Sequence, residues 1–307
     1  MKNDQKRYNS STAVESAIKA AARNRQRENP NCNVGDLIRQ TYIDRFLSRI
    51  FSEGDRSEWV LKGGSAMLAR IPSTRRTLDA DLFREGYGKD ESLEELKRLA
   101  AVDLHDFFRF EFLSEEPILQ GENQPYGDGC RVYFGIFLGT KSLGKVHVDL
   151  AVHQGVLLSG DVMEPRNRLP LPGLESYPYR LYPIPNQFAD KACATVQLVG
   201  GMQSTRVKDL VDLVLIALTQ KIDARQLSAA LQDECARRRI PYPLVFAAPS
   251  LWTQKQFRVA SAGTSVSDYS LEDASRLISR MLDDLYSLGV NTRNQWNPQQ
   301  LLWEAQQ

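Results

Sequence analysis

The sequence predicts an α/β protein: a mixed, twisted sheet flanked by helices on the N-terminal side, followed by a mainly helical C-terminal part. Three observations carry this prediction. Residues 59–83, WVLKGGSAMLARIPSTRRTLDADLF, read as strand, glycine turn, short helix, basic loop and second strand. Residues 131–138 (RVYFGIFL) and 145–152 (KVHVDLAV) have strand length and composition and are joined through a turn over 139–144. From residue 186 onward the apolar spacing turns helical. The expected division is a sheet domain with its N-terminal helices over residues 1–160 and a mainly helical domain over 161–307.

Composition narrows the class. With 42% hydrophobic and 25% charged residues, the 307-residue chain has the profile of a globular protein with a sizeable core. No apolar run approaches the roughly 20 residues that span a bilayer. The start is polar and then helical, without the apolar centre of a secretory signal, so the cytoplasm is the expected compartment, with no membrane partner. Four scattered cysteines, without a C-x-x-C pair, and three histidines argue against a zinc site or a disulfide framework. A net charge of +1 gives no polyanion-binding signature, although local charge distribution decides that question.

In chain order, residues 11–27 carry Ala and long side chains at helical spacing, with Ser11 or Thr12 as N-cap and Glu15 completing a capping box. After Asn29-Pro30-Asn31, residues 34–51 place Leu37, Tyr42, Ile43, Phe46, Leu47 and Ile50 along one face, an amphipathic helix for a sheet to cover, closed by Gly54. The segment 84–90 reads as a glycine-rich polar turn and 93–108 as a helix. A strand is expected over 110–113 and a loop over 120–129. The Pro- and Arg-rich stretch 163–185 reads as a connection. Helices are predicted over 186–198, 205–219, 223–238, 270–288 and 297–303, with Gly200-Gly201 dividing the first two.

The chemistry-bearing residues lie in two places. Residues two apart on a strand share a face, so Asp79 and Asp81 direct two carboxylates into one space, and two such anions need a cation between them. Magnesium, with manganese as the alternative, suits oxygen ligands of this kind and is commonly shared with substrate phosphates. Gly63, Gly64 and Ser65, ahead of a helix, offer close backbone approach and N–H groups to phosphate. On the later strand, alternation places His147, Asp149 and Ala151 on one face, and Asp149 in an otherwise apolar run needs a partner, which a metal would supply. Its other reading is a solvent-facing acid on an edge strand; His147 and His153 read as structural or solvated.

The second place is residues 186–218, where Lys191 sits in an Ala-containing helix and Arg206-Val207-Lys208-Asp209-Leu210-Val211-Asp212 follows the glycines. Asp209 and Asp212, three apart on a helix, project together. Lys191 offers a point charge to phosphate oxygens, whereas Arg206 and Lys208 beside the two acids equally suit a structural ion-pair network.

The Gly64-Ser65 pair followed by Asp79-x-Asp81 resembles the signature of the polymerase-beta-like nucleotidyltransferases. With Arg76-Thr77-Leu78-Asp79-Ala80-Asp81-Leu82, Lys191 and the Arg206-to-Asp212 run added, the sequence is similar to the AbiEii/MenT family of nucleotidyltransferase toxins over about residues 59–218. Ala80 departs from that pattern, since many members carry Leu or Ile between the strand acids. Some relatives use a helical Asp as the third acid, so Asp149 and the Asp209/Asp212 pair remain alternatives.

The resemblance implies that residues 1–160 form the nucleotidyltransferase domain and that a nucleoside monophosphate passes from an NTP co-substrate to an acceptor, releasing pyrophosphate. Asp79, Asp81 and Asp149 would hold the metal. Gly63, Gly64, Ser65, Arg76, Thr77, Lys191 and Arg206 would meet the nucleotide, and Lys191, Asp209 and Asp212 would join the catalytic set. The implied acceptor is RNA, chiefly the 3′ end of tRNA, with block of aminoacylation and of growth; a cognate antitoxin encoded nearby and a monomeric state follow as expectations. Arg237, Arg238, Arg239, Lys255 and Arg258, interleaved with Tyr242, Trp252 and Phe257, would supply an RNA surface, or equally form a solvated helix end beside a core aromatic cluster. The competing readings are a nucleotidyltransferase that modifies an antibiotic or a protein and a catalytically silent binding protein.

Overall fold

A computed structural model of the chain describes residues 8–72, 77, 79–117, 128–153, 160–288 and 293–305, without the side chains of Glu85, Asp128 and His153. The described residues form two compact units, one running through Leu181 and the other beginning at Tyr182.

The first unit opens with α1 (Ser11–Glu28), which buries Val14, Ile18 and Ala22 at four-residue spacing. Its cap is Ser10, not Ser11 or Thr12: Ser10 has extended backbone and its hydroxyl accepts from the Ala13 N–H. Glu15 serves no capping box and instead accepts from Lys141 and pairs with Lys19. In α2 (Val34–Ile50), capped by Asn33, Phe46 is fully buried and its ring lies 5.3 Å from that of Phe110 and 5.2 Å from that of Phe134. Removing such a ring from water stabilises the fold by about 2–3 kcal/mol.

The strand β1 (Trp59–Lys62) is buried throughout and leads into α3 (Gly63–Arg70). The predicted glycine turn is therefore the first turn of the helix itself. The strand β2 (Asp79–Glu85) returns antiparallel to β1, and α4 (Lys89–Ala100) follows. The helix predicted to reach residue 108 ends at Ala100 because Asp106 turns inward. There Asp106, with no exposed surface, accepts from Arg45 and Arg49, and His105 and Phe107 on either side take positive φ. Those two buried arginines explain why α2 is covered on more than its apolar face.

The strand β3 (Phe108–Pro117) is longer than predicted, and β4 (Asp128–Leu138) and β5 (Lys141–His153) form a long antiparallel pair. Most of the predicted turn over 139–144 is strand. Gly139 makes the tight turn at positive φ, and the register shift between Ile136 and Phe137 absorbs the extra residue near Gly144. The loop predicted over 120–129 lies outside the described residues up to 127; Asp128 and Gly129 are strand. Within the supposed connection, β6 (Asp161–Met163) and β7 (Tyr179–Leu181) add two strands too short to show a period. Together these give a seven-stranded mixed sheet in the order β3-β4-β5-β2-β1-β7-β6, with β2–β5 and β1–β7 parallel. Asp149 accordingly sits on an inner strand, not an edge.

The second unit is mainly helical: α5 (Ile184–Val196), α6 (Val207–Thr219), α7 (Ala224–Arg238), α8 (Gln254–Ser261) and α9 (Leu271–Ser287). Apolar spacing did not announce α8, whose Thr253–Gln256 capping box is complete. The helix predicted over 297–303 is instead a hairpin of β9 (Asn294–Asn297) and β10 (Leu302–Ala305), with β8 (Ile222–Asp223) alongside β9. The indole N–H of Trp296 donates to the Ala217 carbonyl at 2.7 Å and that of Trp303 to Met281 at 2.9 Å. Extended backbone lets both rings meet and both N–H groups find acceptors.

Candidate active site

Asp79 and Asp81 sit on β2 in the middle of the sheet, where pairing with the parallel β5 sets Asp79 beside His147 and Asp81 beside Asp149. One strand further, Tyr133 lies opposite His147 and Arg131 opposite Asp149. Side-chain alternation thus lines up two polar rows across three strands on one face, while Val146, Val148 and Leu150 fill the core on the other. Asp79 is half exposed, and its carboxylate lies 3.5 Å from the His147 ring nitrogen.

Gly63 and Gly64 stand where the sequence motif puts them, for separate steric reasons. Gly63 has φ +58°, and a Cβ there would fall 1.8 Å from Asp81 Oδ2. A Cβ on Gly64 would meet the Thr77 side chain at 2.9 Å. The Ser65 hydroxyl donates to the Asp79 carbonyl at 2.7 Å and ties the start of α3 to the start of β2. A helix N-terminus is thereby fixed beside the two acids. Thr77 flanks this turn, whereas Arg76 lies outside the described residues.

Asp149 is held by Arg131, whose Nε and Nη2 donate to its two carboxylate oxygens at 2.7 and 2.9 Å. The hydrogen bonds from this pair, followed by its charge attraction, raise the Arg131 pKa, so the guanidinium stays charged. Among the described residues, no group of three or more His, Cys, Asp and Glu converges on a metal position. The donor set that fits a hard divalent cation is therefore the Asp79–Asp81 pair: two oxygen groups on one strand face, beside a turn suited to phosphate. Arg131 and His147 complete the face. Sequence reading passed over Arg131 and took His147 as structural or solvated, because their places come from strand register rather than from a local motif.

In the second unit, Lys191 on α5 donates to Asp209 at 3.0 Å and to Asp212 at 2.7 Å on α6. Arg206 pairs with the other oxygen of Asp209 at 2.7 Å. The side chains of Lys191, Asp209 and Asp212 are 7%, 3% and 1% exposed, and with the half-buried Arg206 they form a cluster of two cations and two anions. The basic and aromatic surface expected further on is divided differently. Phe257 and Trp252 are core residues, and Arg238 is buried against Glu234 and Asp190.

A mixed sheet presenting paired carboxylates beside a Gly-Gly-Ser helix start is the framework of a nucleotidyltransferase. The chain belongs to the nucleotidyl transferase AbiEii toxin family of type IV toxin–antitoxin systems, whose family model matches residues 45–298. Among solved structures it is similar to MenT4, a nucleotidyltransferase toxin from Mycobacterium tuberculosis, at 15% identity over 88% of this chain and 98% of that one, with a TM-score of 0.49. JHP933 from Helicobacter pylori is similar at 13% identity over 83% and 96% of the two chains, with a TM-score of 0.42. No curated protein matches the chain. Among the described residues no helix is long and apolar enough to cross a membrane.

Proposed function

We propose that the chain is the toxin of a type IV toxin–antitoxin pair and transfers a nucleoside monophosphate from an NTP to RNA, at the 3′ end of tRNA, so that aminoacylation and growth stop. The observation that carries this reading is the placement of Asp79 and Asp81 on an inner strand, directly against the Gly63–Ser65 helix start. In the reaction an acceptor hydroxyl oxygen bonds to the α-phosphorus, the bond from that phosphorus to the bridging oxygen breaks, and pyrophosphate leaves. A magnesium ion held by Asp79 and Asp81 would supply neutralisation of the phosphate charge.

The chain's own groups do the rest. The N–H groups at the start of α3 receive terminal phosphate oxygens, with Gly63 and Gly64 keeping that approach clear of side chains. Ser65 fixes the Asp79 backbone and so aims its carboxylate. Asp149 takes the acceptor proton in preference to Asp209 or Asp212, because it is 15% exposed whereas those two are buried.

The test is to incubate the protein and its Asp79→Ala variant with magnesium, total tRNA and each of four labelled NTPs. Transfer to tRNA by the wild type, reduced at least about a thousandfold in the variant, is expected from the loss of several kcal/mol of charge stabilisation. Label only on a protein or an aminoglycoside would overturn the RNA acceptor. Equal label from both proteins would overturn the role of Asp79.

A further inference from the structure

The sheet order sets the acid-bearing β2 between two different surfaces. Toward β1, Asp81 rests against Gly63 and the start of α3. Toward β5, Asp79 faces His147, and a cleft of about 490 Å³ opens beside them, within the range of small-ligand sites. Arg39 and Tyr42 from α2, Leu143 and Lys145 from β5, and Asp79 and His147 line it. Among the described residues, neither Arg39 nor Lys145 has an acidic partner. The Lys145 ammonium lies 4.7 Å over the Tyr133 ring, and that ring packs edge-on against His147 at 5.0 Å.

Two cations that pair with no acid among the described residues ask for an anion, and the flanking rings ask for a flat apolar partner. A nucleotide unit of a single strand brings both: a phosphodiester for the cations and a base for the rings. An aminoglycoside, itself polycationic, would be repelled by Arg39 and Lys145, and a protein hydroxyl would bring no phosphate. We propose that this cleft receives the 3′-terminal nucleotide of a single-stranded RNA acceptor, with its base beside Tyr42 and His147 and its phosphodiester between Arg39 and Lys145. The ribose hydroxyls then face Asp79, across β2 from the phosphate-binding helix start. This rests on the nucleotidyl-transfer reading above and adds to it the surface that selects the acceptor.

The experiment measures binding rather than turnover. A short single-stranded oligoribonucleotide, labelled at its 5′ end and free at its 3′ end, is titrated by fluorescence anisotropy across a salt series. It is titrated into the wild type, Arg39→Ala/Lys145→Ala and the charge-preserving Arg39→Lys/Lys145→Arg. The affinity of each protein for a non-hydrolysable NTP analogue is measured in parallel by calorimetry. Both side chains are exposed, so thermal midpoints stay within the wild-type range.

The alanine variant is expected to bind RNA about 10- to 100-fold more weakly. Its slope of log affinity against log salt should fall by about 0.7, the value for the one single-strand phosphate that the two cations no longer neutralise. The charge-preserving variant should keep the slope, and NTP affinity should stay within about twofold in all three. Unchanged RNA affinity and slope in the alanine variant would overturn the cleft as the acceptor site. A parallel loss of NTP affinity would overturn it too, placing the NTP there instead. A wild type that binds the NTP analogue but no RNA would overturn the RNA-acceptor reading itself, and the inference with it.

Discussion

Substituting Gly63 by alanine tests the link between the helix start and the acid pair. The residue has φ +58°, a conformation that costs an L-residue about 1–2 kcal/mol. The new methyl group would stand 1.8 Å from Asp81 Oδ2, whereas ordinary contact begins near 3.4 Å, so the carboxylate must retreat by about 1.6 Å. Misplacement of a reacting group by about 1 Å can cost about a hundredfold in rate. The strain alone lowers the thermal midpoint by about 2–8 °C for a domain of this size. Gly63→Ala is therefore expected to melt a few degrees lower and to lose at least about a hundredfold in labelled-nucleotide transfer. Gly54→Ala is the control: it has a comparable φ of +61°, but no described atom lies within 4 Å of its new methyl group, so it carries the backbone strain and leaves Asp81 where it is. Transfer by Gly63→Ala within threefold of wild type, at a lowered melting temperature, would refute the claim that this glycine sets the position of Asp81.

Two further perturbations read the buried charges. Lys191→Met keeps the side-chain bulk but leaves Asp209 and Asp212 with one cation between them, and breaking a buried pair of this kind costs about 3–5 kcal/mol. A lowered urea midpoint should show it, and a loss under 1 kcal/mol would mean that the cluster does not hold α5 to α6. Burial opposes ionisation of Asp106, but hydrogen bonds and charge from Arg49 and then Arg45 overcome it and hold its pKa below the ordinary 3.8. Its stabilising contribution is therefore complete above that value and is lost as pH falls through the lower folded-state value. Unfolding free energy followed from pH 6 downward should fall more steeply for the wild type than for Asp106→Asn, which starts about 3–5 kcal/mol lower; parallel curves would refute the linkage.

Local chemistry was legible in the order of the residues. Apolar spacing marked α7 and α9 because each buries one stripe of a 3.6-residue helix, and α2, α5 and α6 read as helices too although they are buried well beyond a single stripe. Asp79 and Asp81 share a face for an equally local reason, the two-residue period of a strand. Lys191 and the Asp209–Asp212 pair were also legible, as a lysine on one helix and two acids three apart on the next.

Features that depend on partners distant in the chain emerged only with folding. The helix read through residue 108 stops at Ala100 because Asp106 is drawn to arginines on α2, and no local pattern announces that attraction. Residues 297–303 of the hairpin read as helical, and the two indole N–H groups found their carbonyl acceptors on α6 and α9 only in extended backbone. Strand register governed the candidate site in the same way. It set His147 against Asp79, gave Asp149 to Arg131, and opened a cleft between α2 and β5 whose residues are separated by about a hundred positions of sequence. A side chain's face is fixed by its neighbours in sequence, but what it faces is fixed only when the strands pair.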